Sequence, residues 1–252
     1  MSSPSGPLLF ARYAYPPNEL GYCGPDDASP LLVHETTVVD DGVIAERARQ
    51  FEGAWSYLEL IASAAGLDDP LDPRVVEAYW VGNDLLDDLD PTGWLDGLRD
   101  RFRSQTGGFW NRLTIDTSAR ALPHHSFQVF AVYPWAGLLG AGSAVPLSVL
   151  DHCRIRWGEV VGVDGERAIV RSQPLTWDGR ALALGDARDE AVHWSKDGRS
   201  LLGGVIVGEQ VAMHWDWVCD RLDSRQLIAL TASSATQLEL TNMELATVTR
   251  QG

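Results

Sequence analysis

The chain is short of positive charge. It carries 20 Lys and Arg against 35 Asp and Glu, a formal net charge of −15. A surface this acidic repels a phosphate backbone, so nucleic acid is excluded as a partner. A neutral or basic partner suits it better. Long apolar runs are also missing. No window approaches 18 consecutive apolar residues, so no membrane span and no membrane partner is expected. Met1 to Phe10 lacks both the positive start and the apolar stretch of a signal peptide, which points to the cytoplasm. Cysteine is scarce. Cys23, Cys153 and Cys219 cannot all pair within one chain, and with no C-x-x-C spacing there is neither a disulfide framework nor a local zinc signature. A reducing compartment agrees with that. No internal repeat or low-complexity linker is visible.

What is present is an ordinary globular balance, 45% hydrophobic and 22% charged, with ten Trp that call for a core or a binding surface. Residues 1–30 read as irregular, because Tyr13-Ala14-Tyr15-Pro16-Pro17 and Gly21-Tyr22-Cys23-Gly24-Pro25 break both regular periods. This segment is either a packed turn or a functional loop presenting Cys23. From Val43 to Ala65 apolar residues recur at three and four, from Ile44 and Ala48 through Phe51 and Trp55 to Leu58 and Ile61, which predicts a helix. A second helix is predicted from Pro73 to about Leu89, with Asp72 as N-cap and Pro73 in the first helical position. A third starts at Asp90-Pro91 and carries Trp94, Leu98 and Phe102. The acidic run from Asn83 to Asp90 has the spacing to hold a hard cation, but it equally describes a solvated face. Residues 104–122, with Gly107-Gly108, read as loop.

Pro123 to Leu139 is apolar nearly all round after His124-His125, which predicts a buried helix kinked or ended at Pro134. In its first turn the helix dipole disfavours a cation, so both imidazoles are expected neutral. They serve either as ligands or acid–base groups, or as hydrogen-bonding groups at the helix start. A short helix from Ala144 to Leu150 follows.

The pattern then changes. Cys153 to Val163 reads as a strand, Asp164-Gly165 as a hairpin turn, and Arg167 to Ser172 as its partner. Further short strands fall at Leu182–Leu184, Ala191–Trp194, Leu201–Ile206 and Val211–Val218. Ser224 starts a short helix, and the tail to Gly252 reads as partly helical and frayed. The expected fold is α+β: an all-α domain over residues 1–150, then a small OB-like β-barrel with a C-terminal helix over 151–252.

Taken singly, Cys153 is a buried thiol or a soft ligand, and His214 is a strand histidine or a borderline ligand. Cys153, Gly158, Val160-Val161 and Asp164-Gly165, followed by Val207-Gly208-Glu209-Gln210-Val211-Ala212-Met213-His214, resemble the HypC/HupF family of nickel–iron hydrogenase assembly chaperones over residues 152–232. The resemblance implies an iron–cyano–carbonyl unit held by Cys153 and His214. It also implies transfer of that iron from a HypD-type scaffold to the hydrogenase large-subunit precursor. Three departures stand out: the cysteine is internal here, Trp157 stands where the family has Pro, and Trp215-Asp216-Trp217 replaces the small apolar residues after the family His. The whole chain also resembles an uncharacterised family of high-GC bacteria through Phe10 to Pro17, Leu20 to Pro25, Val75 to Trp80 and Val132 to Trp135.

Two further readings remain. One is a metal- or haem-dependent enzyme of specialised metabolism, its site between the domains and built from His124, His125, Cys23 or His214. The other is an interaction module that has lost its ligand, for which Cys153 and His214 would lie more than about 10 Å apart.

Overall fold

The computed structural model describes residues 4–32, 41–87, 89–101 and 120–249. Phe102, Asp88 of the acidic run and the Gly107-Gly108 loop lie outside the described residues.

Over Gly6–Glu19 the N-terminal segment is a helix, α1, which corrects the expectation of irregular chain there, while residues 20–28 are irregular as expected. Ser5 caps it, accepting from the Leu8 N–H. The prolines that argued against a helix sit in its last turn, where each gives up a bond to the carbonyl four residues back; the Tyr13 oxygen freed by Pro17 is taken up by a side chain from elsewhere, His214 Nδ1. Aromatic burial decides the matter: Phe10, Ala11, Tyr13 and Ala14 are fully enclosed. Gly6 lets the helix start approach its neighbour, since a Cβ there would lie 1.6 Å from the Leu71 carbonyl oxygen.

The predicted helix at Val43–Ala65 is two, α2 (Asp41–Ala48) and α3 (Glu52–Ala64), broken at Phe51, which packs edge-on against Phe10. Helix α4 (Pro73–Trp80) starts as expected, with Asp72 accepting from the Arg74 N–H. It stops nine residues short of Leu89, because Val81 is followed by Gly82 at φ 95°. Trp94 and Leu98 are buried on α5 (Pro91–Arg101). After residue 120 come a short α6 (His125–Phe127), a π-helical turn (Gln128–Val132) and a 3-10 turn beginning at Pro134. Helix α7 (Val145–Cys153) follows, so Cys153 ends a helix rather than opening a strand.

The first, second, fifth, sixth and seventh strands are β1 (Arg156–Asp164), β2 (Arg167–Ser172), β5 (Arg188–His193), β6 (Gln210–His214) and β7 (Trp217–Arg221). They hydrogen-bond in the order β1-β2-β5-β7-β6, and the β1–β6 pairing joins the ends so that the sheet closes on itself. The β5–β7 seam is thin, a single parallel pair between His193 and Trp217. Between them β3 (Leu175–Trp177) and β4 (Leu182–Leu184) make a separate hairpin. Leu201–Ile206 is not a strand, and Val211–Val218 is two strands turning at Trp215-Asp216. Alternation explains the ring: Val160, Val170, Val192, Val211, Met213 and Val218 fill its interior. Gly158 is required in β1, where a Cβ would meet the Arg171 carbonyl oxygen at 2.4 Å.

The β6–β7 hairpin is buried on both faces. Its outer residues Ala212, Trp217 and Cys219 belong to the same core cluster as α1, α3 and α4. A buried ion pair crosses that contact, Arg12 to Asp220 at 2.8 Å. The tail beyond Ser224 is one helix, α8 (Ser224–Thr249), rather than a short helix and a frayed end. Among the described residues no helix is long and apolar enough to cross a membrane.

Candidate metal centre

Three ligand-bearing side chains meet where α6, α7 and β6 end or begin. Ligand atoms of His125, Cys153 and His214 all lie within 4.8 Å of one another. Each is placed by a local feature. Cys153 is the last residue of α7, and its carbonyl, having no helical partner, meets His125 Nε2 at 2.8 Å. His214 ends β6 just before a two-residue turn, in which Trp215 adopts φ 52°. The Trp215 N–H donates to the His152 carbonyl at 2.8 Å, tying the turn to the end of α7.

The orientation of His214 traces to Pro17. A residue at that position would ordinarily donate its N–H to the Tyr13 carbonyl four residues back, and proline has none. The freed Tyr13 oxygen accepts instead from His214 Nδ1 at 2.7 Å. That bond fixes the proton on Nδ1 and leaves the Nε2 lone pair for a ligand. His214 is 1% exposed, and its Nε2 has no hydrogen-bond partner.

His125 is held by Tyr79, whose hydroxyl lies 3.1 Å from Nδ1. Tyr79 in turn donates to Gln128 Oε1, and Gln128 Nε2 donates to the Tyr133 oxygen at 3.0 Å. Trp80 packs under both imidazoles, with ring centroids 4.6 Å from His125 and 5.7 Å from His214. The group forms part of the wall of a cavity of about 590 Å³, which Cys23, Tyr133 and Trp215 also line. Tyr22, at 57% exposure, closes one side by stacking on Trp215 at 4.2 Å.

Burial sets the charge state. It pushes His125 down to about 4 and His214 well below its usual range, and it pushes the Cys153 thiol up. Without a cation the three groups are neutral. A Cys–His–His set is soft to borderline and suits iron, zinc, copper or nickel rather than calcium or magnesium. The partnerless His214 Nε2 is the feature that fits a metal and that apolar packing does not explain. His125 has both ring nitrogens in hydrogen bonds, Nε2–H donating to the Cys153 carbonyl, so the Cys153 thiol and His214 Nε2 are the donors of the group left for an ion.

The other sequence candidates fall elsewhere. His124 is fully buried but caps α6, its Nδ1 accepting from the Ser126 N–H at 3.1 Å, and it is outside the cluster. Cys23 shares the cavity without joining the cluster. In the acidic run, Asn83 caps a 3-10 turn (Asp84–Leu86) and bonds Arg74 and Glu77. Tyr79, Gln128 and the Tyr13 carbonyl were not legible as site groups. Tyr79 reads as one more apolar-face residue of α4, and a backbone oxygen has no sequence signal beyond the proline that frees it.

The fold and cluster therefore define an α+β protein whose helices and closed sheet jointly enclose a His–Cys–His group. The chain belongs to a family of unknown function (DUF6390), whose profile matches residues 2–248. No curated protein and no solved structure matches it.

Proposed function

We propose that this protein is an accessory factor of nickel–iron hydrogenase assembly that carries an iron–cyano–carbonyl unit on Cys153 and His214. The observation that supports it most is their approach: 61 positions apart in the chain, they bring ligand atoms within 4.8 Å at a cavity wall. Their chemistry suits the cargo, since thiolate is an electron-rich donor for low-spin iron and neutral imidazole a second donor. The HypC/HupF resemblance of residues 152–232 singles out the same two residues, and the closed five-stranded ring would correspond to the OB-like barrel of those chaperones. The scaffold that loads the iron would be HypD-type, the recipient the large-subunit precursor, and the compartment the cytoplasm, where Cys153 stays a thiol.

Because Cys153 sits at a helix end inside a cavity, the cargo is enclosed rather than displayed on a flexible terminus. The cavity gives the cyanide and carbonyl groups room beside the two donors. The thiol must lose its proton when iron binds, so loading releases a proton and strengthens as pH rises.

The test is to purify the protein without oxygen from a host making the hydrogenase, and to record its metal content and infrared spectrum. Iron with bound carbonyl and cyanide bands, lost in Cys153→Ala and His214→Ala, is expected. Normal hydrogenase activity in hosts carrying either variant would sink the proposal. A second reading rests on the coordination positions that two protein donors leave open beside the cavity, the arrangement of a catalytic metal: a metal- or haem-dependent enzyme of specialised metabolism. Stoichiometric haem or non-haem metal with substrate turnover would favour it.

A further inference from the structure

The cavity beside the cluster is larger than an iron and three diatomic groups require. A water-sized group takes about 30 Å³, so such a unit fills on the order of 150 Å³. The cavity holds about 590 Å³, the size of a pocket for a whole organic molecule. Among the described residues its wall carries no Lys or Arg, and Glu52, which is exposed, is its one carboxylate. Burial keeps the other titratable groups uncharged. It pushes His125 down to about 4 and the Cys23 thiol up to about 12, and it raises the Cys153 thiol and the Tyr133 hydroxyl as well. Much of the remaining wall is aromatic, from Phe51 and Trp80 to Tyr133, Trp135 and Trp215. Set among these rings are donors with nothing to bind. Gln128 Nε2 donates to the Tyr133 oxygen, which leaves the Tyr133 hydroxyl its own proton to give, and no described residue accepts it. The indole N–H groups of Trp80 and Trp215 are buried without a partner. Each unpaired donor is a cost to the fold that a bound acceptor would relieve. Trp215 carries a second cost, its left-handed φ of 52°, and its ring is stacked by Tyr22 at 4.2 Å and His152 at 6.1 Å.

We propose that the cavity binds a planar, uncharged aromatic molecule bearing carbonyl or ring-nitrogen acceptors, which take the Tyr133 hydroxyl and Trp215 indole protons. A flat conjugated ligand suits walls made of aromatic rings. An anion would meet no fixed cation there and a chain of net charge −15. A cation would suit the ring faces but would leave the O–H and N–H donors unspent. This goes beyond the iron reading and does not depend on it, since neither Tyr133 nor Trp215 belongs to the Cys153 and His214 donor pair.

The test is a fluorescence titration of the full chain, with a chelator present, using lumiflavin as the probe: a flat, uncharged ring system with carbonyl and ring-nitrogen acceptors. Saturable one-to-one quenching is expected. Tyr133→Phe and Trp215→Phe, which keep a ring and remove one donor each, should each weaken lumiflavin about 2- to 10-fold. Naphthalene, which has no acceptor, should bind Tyr133→Phe and the wild type alike. A loss that naphthalene shares would be a change of cavity shape and would overturn the donor roles. No saturable lumiflavin binding overturns the proposal. So does tighter binding of carboxymethylflavin, the same ring with a carboxylate, or of phenyltrimethylammonium, a cation. Because the titration reads no metal, its failure leaves the iron proposal standing, and loss of iron in Cys153→Ala leaves this one standing.

Discussion

Acidification to pH 5 should strip much of this protein's stability through its buried histidines. His124, His125 and His214 are all buried as neutral rings, with burial pushing His124 to about 3, His125 to about 4 and His214 well below its ordinary range. In the unfolded chain each titrates near its ordinary value of about 6.5. A histidine with a lowered folded pKa favours folding above the unfolded value. That contribution is lost as pH falls, because the unfolded state takes up protons the folded state refuses. At pH 5 the loss is about 2 kcal/mol per ring, so about 6 kcal/mol for three. Asp220 works the other way. Burial outweighs its Arg12 partner and raises it to about 6, so its protonation favours the folded state as pH falls below that, returning about 1 kcal/mol at pH 5. The net loss of about 5 kcal/mol compares with a whole domain's stability of about 5–15 kcal/mol. Chemical denaturation followed by Trp fluorescence, with a chelator present and pH stepped from 7 to 5, measures it. His124→Asn, which preserves a capping side chain, should remove about one third of the histidine slope. A stability that stays constant within about 1 kcal/mol over that range would refute the placement of three neutral rings in the core.

Other outcomes follow from packing. Gly158→Ala should cost about 1–3 kcal/mol, read as a lowered denaturation midpoint, since its Cβ would meet backbone rather than a movable side chain. Gly6→Ala should disturb the docking of α1 against Leu71 and, through the Tyr13 carbonyl, weaken Co(II) binding as well as stability. Residues 151–252 expressed alone should bind hydrophobic dyes or aggregate, because Ala212, Trp217 and Cys219 lose the cover of α1. Cooperative unfolding of that fragment as a soluble monomer would contradict this account.

Much of the architecture follows from local pattern. Spacings of three and four marked α3 and α4, the Asp72-Pro73 start was readable from capping chemistry, and Asp164-Gly165 marked the β1–β2 hairpin. Errors came where tertiary burial overrode a local breaker. Pro16 and Pro17 argued against α1, yet Phe10 and Tyr13 gain enough from enclosure to hold a helix there. Val211–Val218 read as one strand, because nothing in Trp215 announces a left-handed turn. The tail read as partly helical and frayed, but its side chains Gln237, Leu240, Thr241 and Glu244 are buried against the rest of the molecule.

The sequence by itself determined the two kinds of periodicity, the acidic surface and the presence of a thiol at Cys153 and an imidazole at His214. Only the tertiary structure decided that they meet, and that His125 meets them. Approach of groups so far apart in the chain depends on how α7 and β6 close over α1, and no local spacing encodes that. The same holds for their state: the sequence supplies imidazoles and a thiol, while burial beside Trp80 makes them neutral, and a carbonyl freed by Pro17 turns His214 Nε2 toward the cluster.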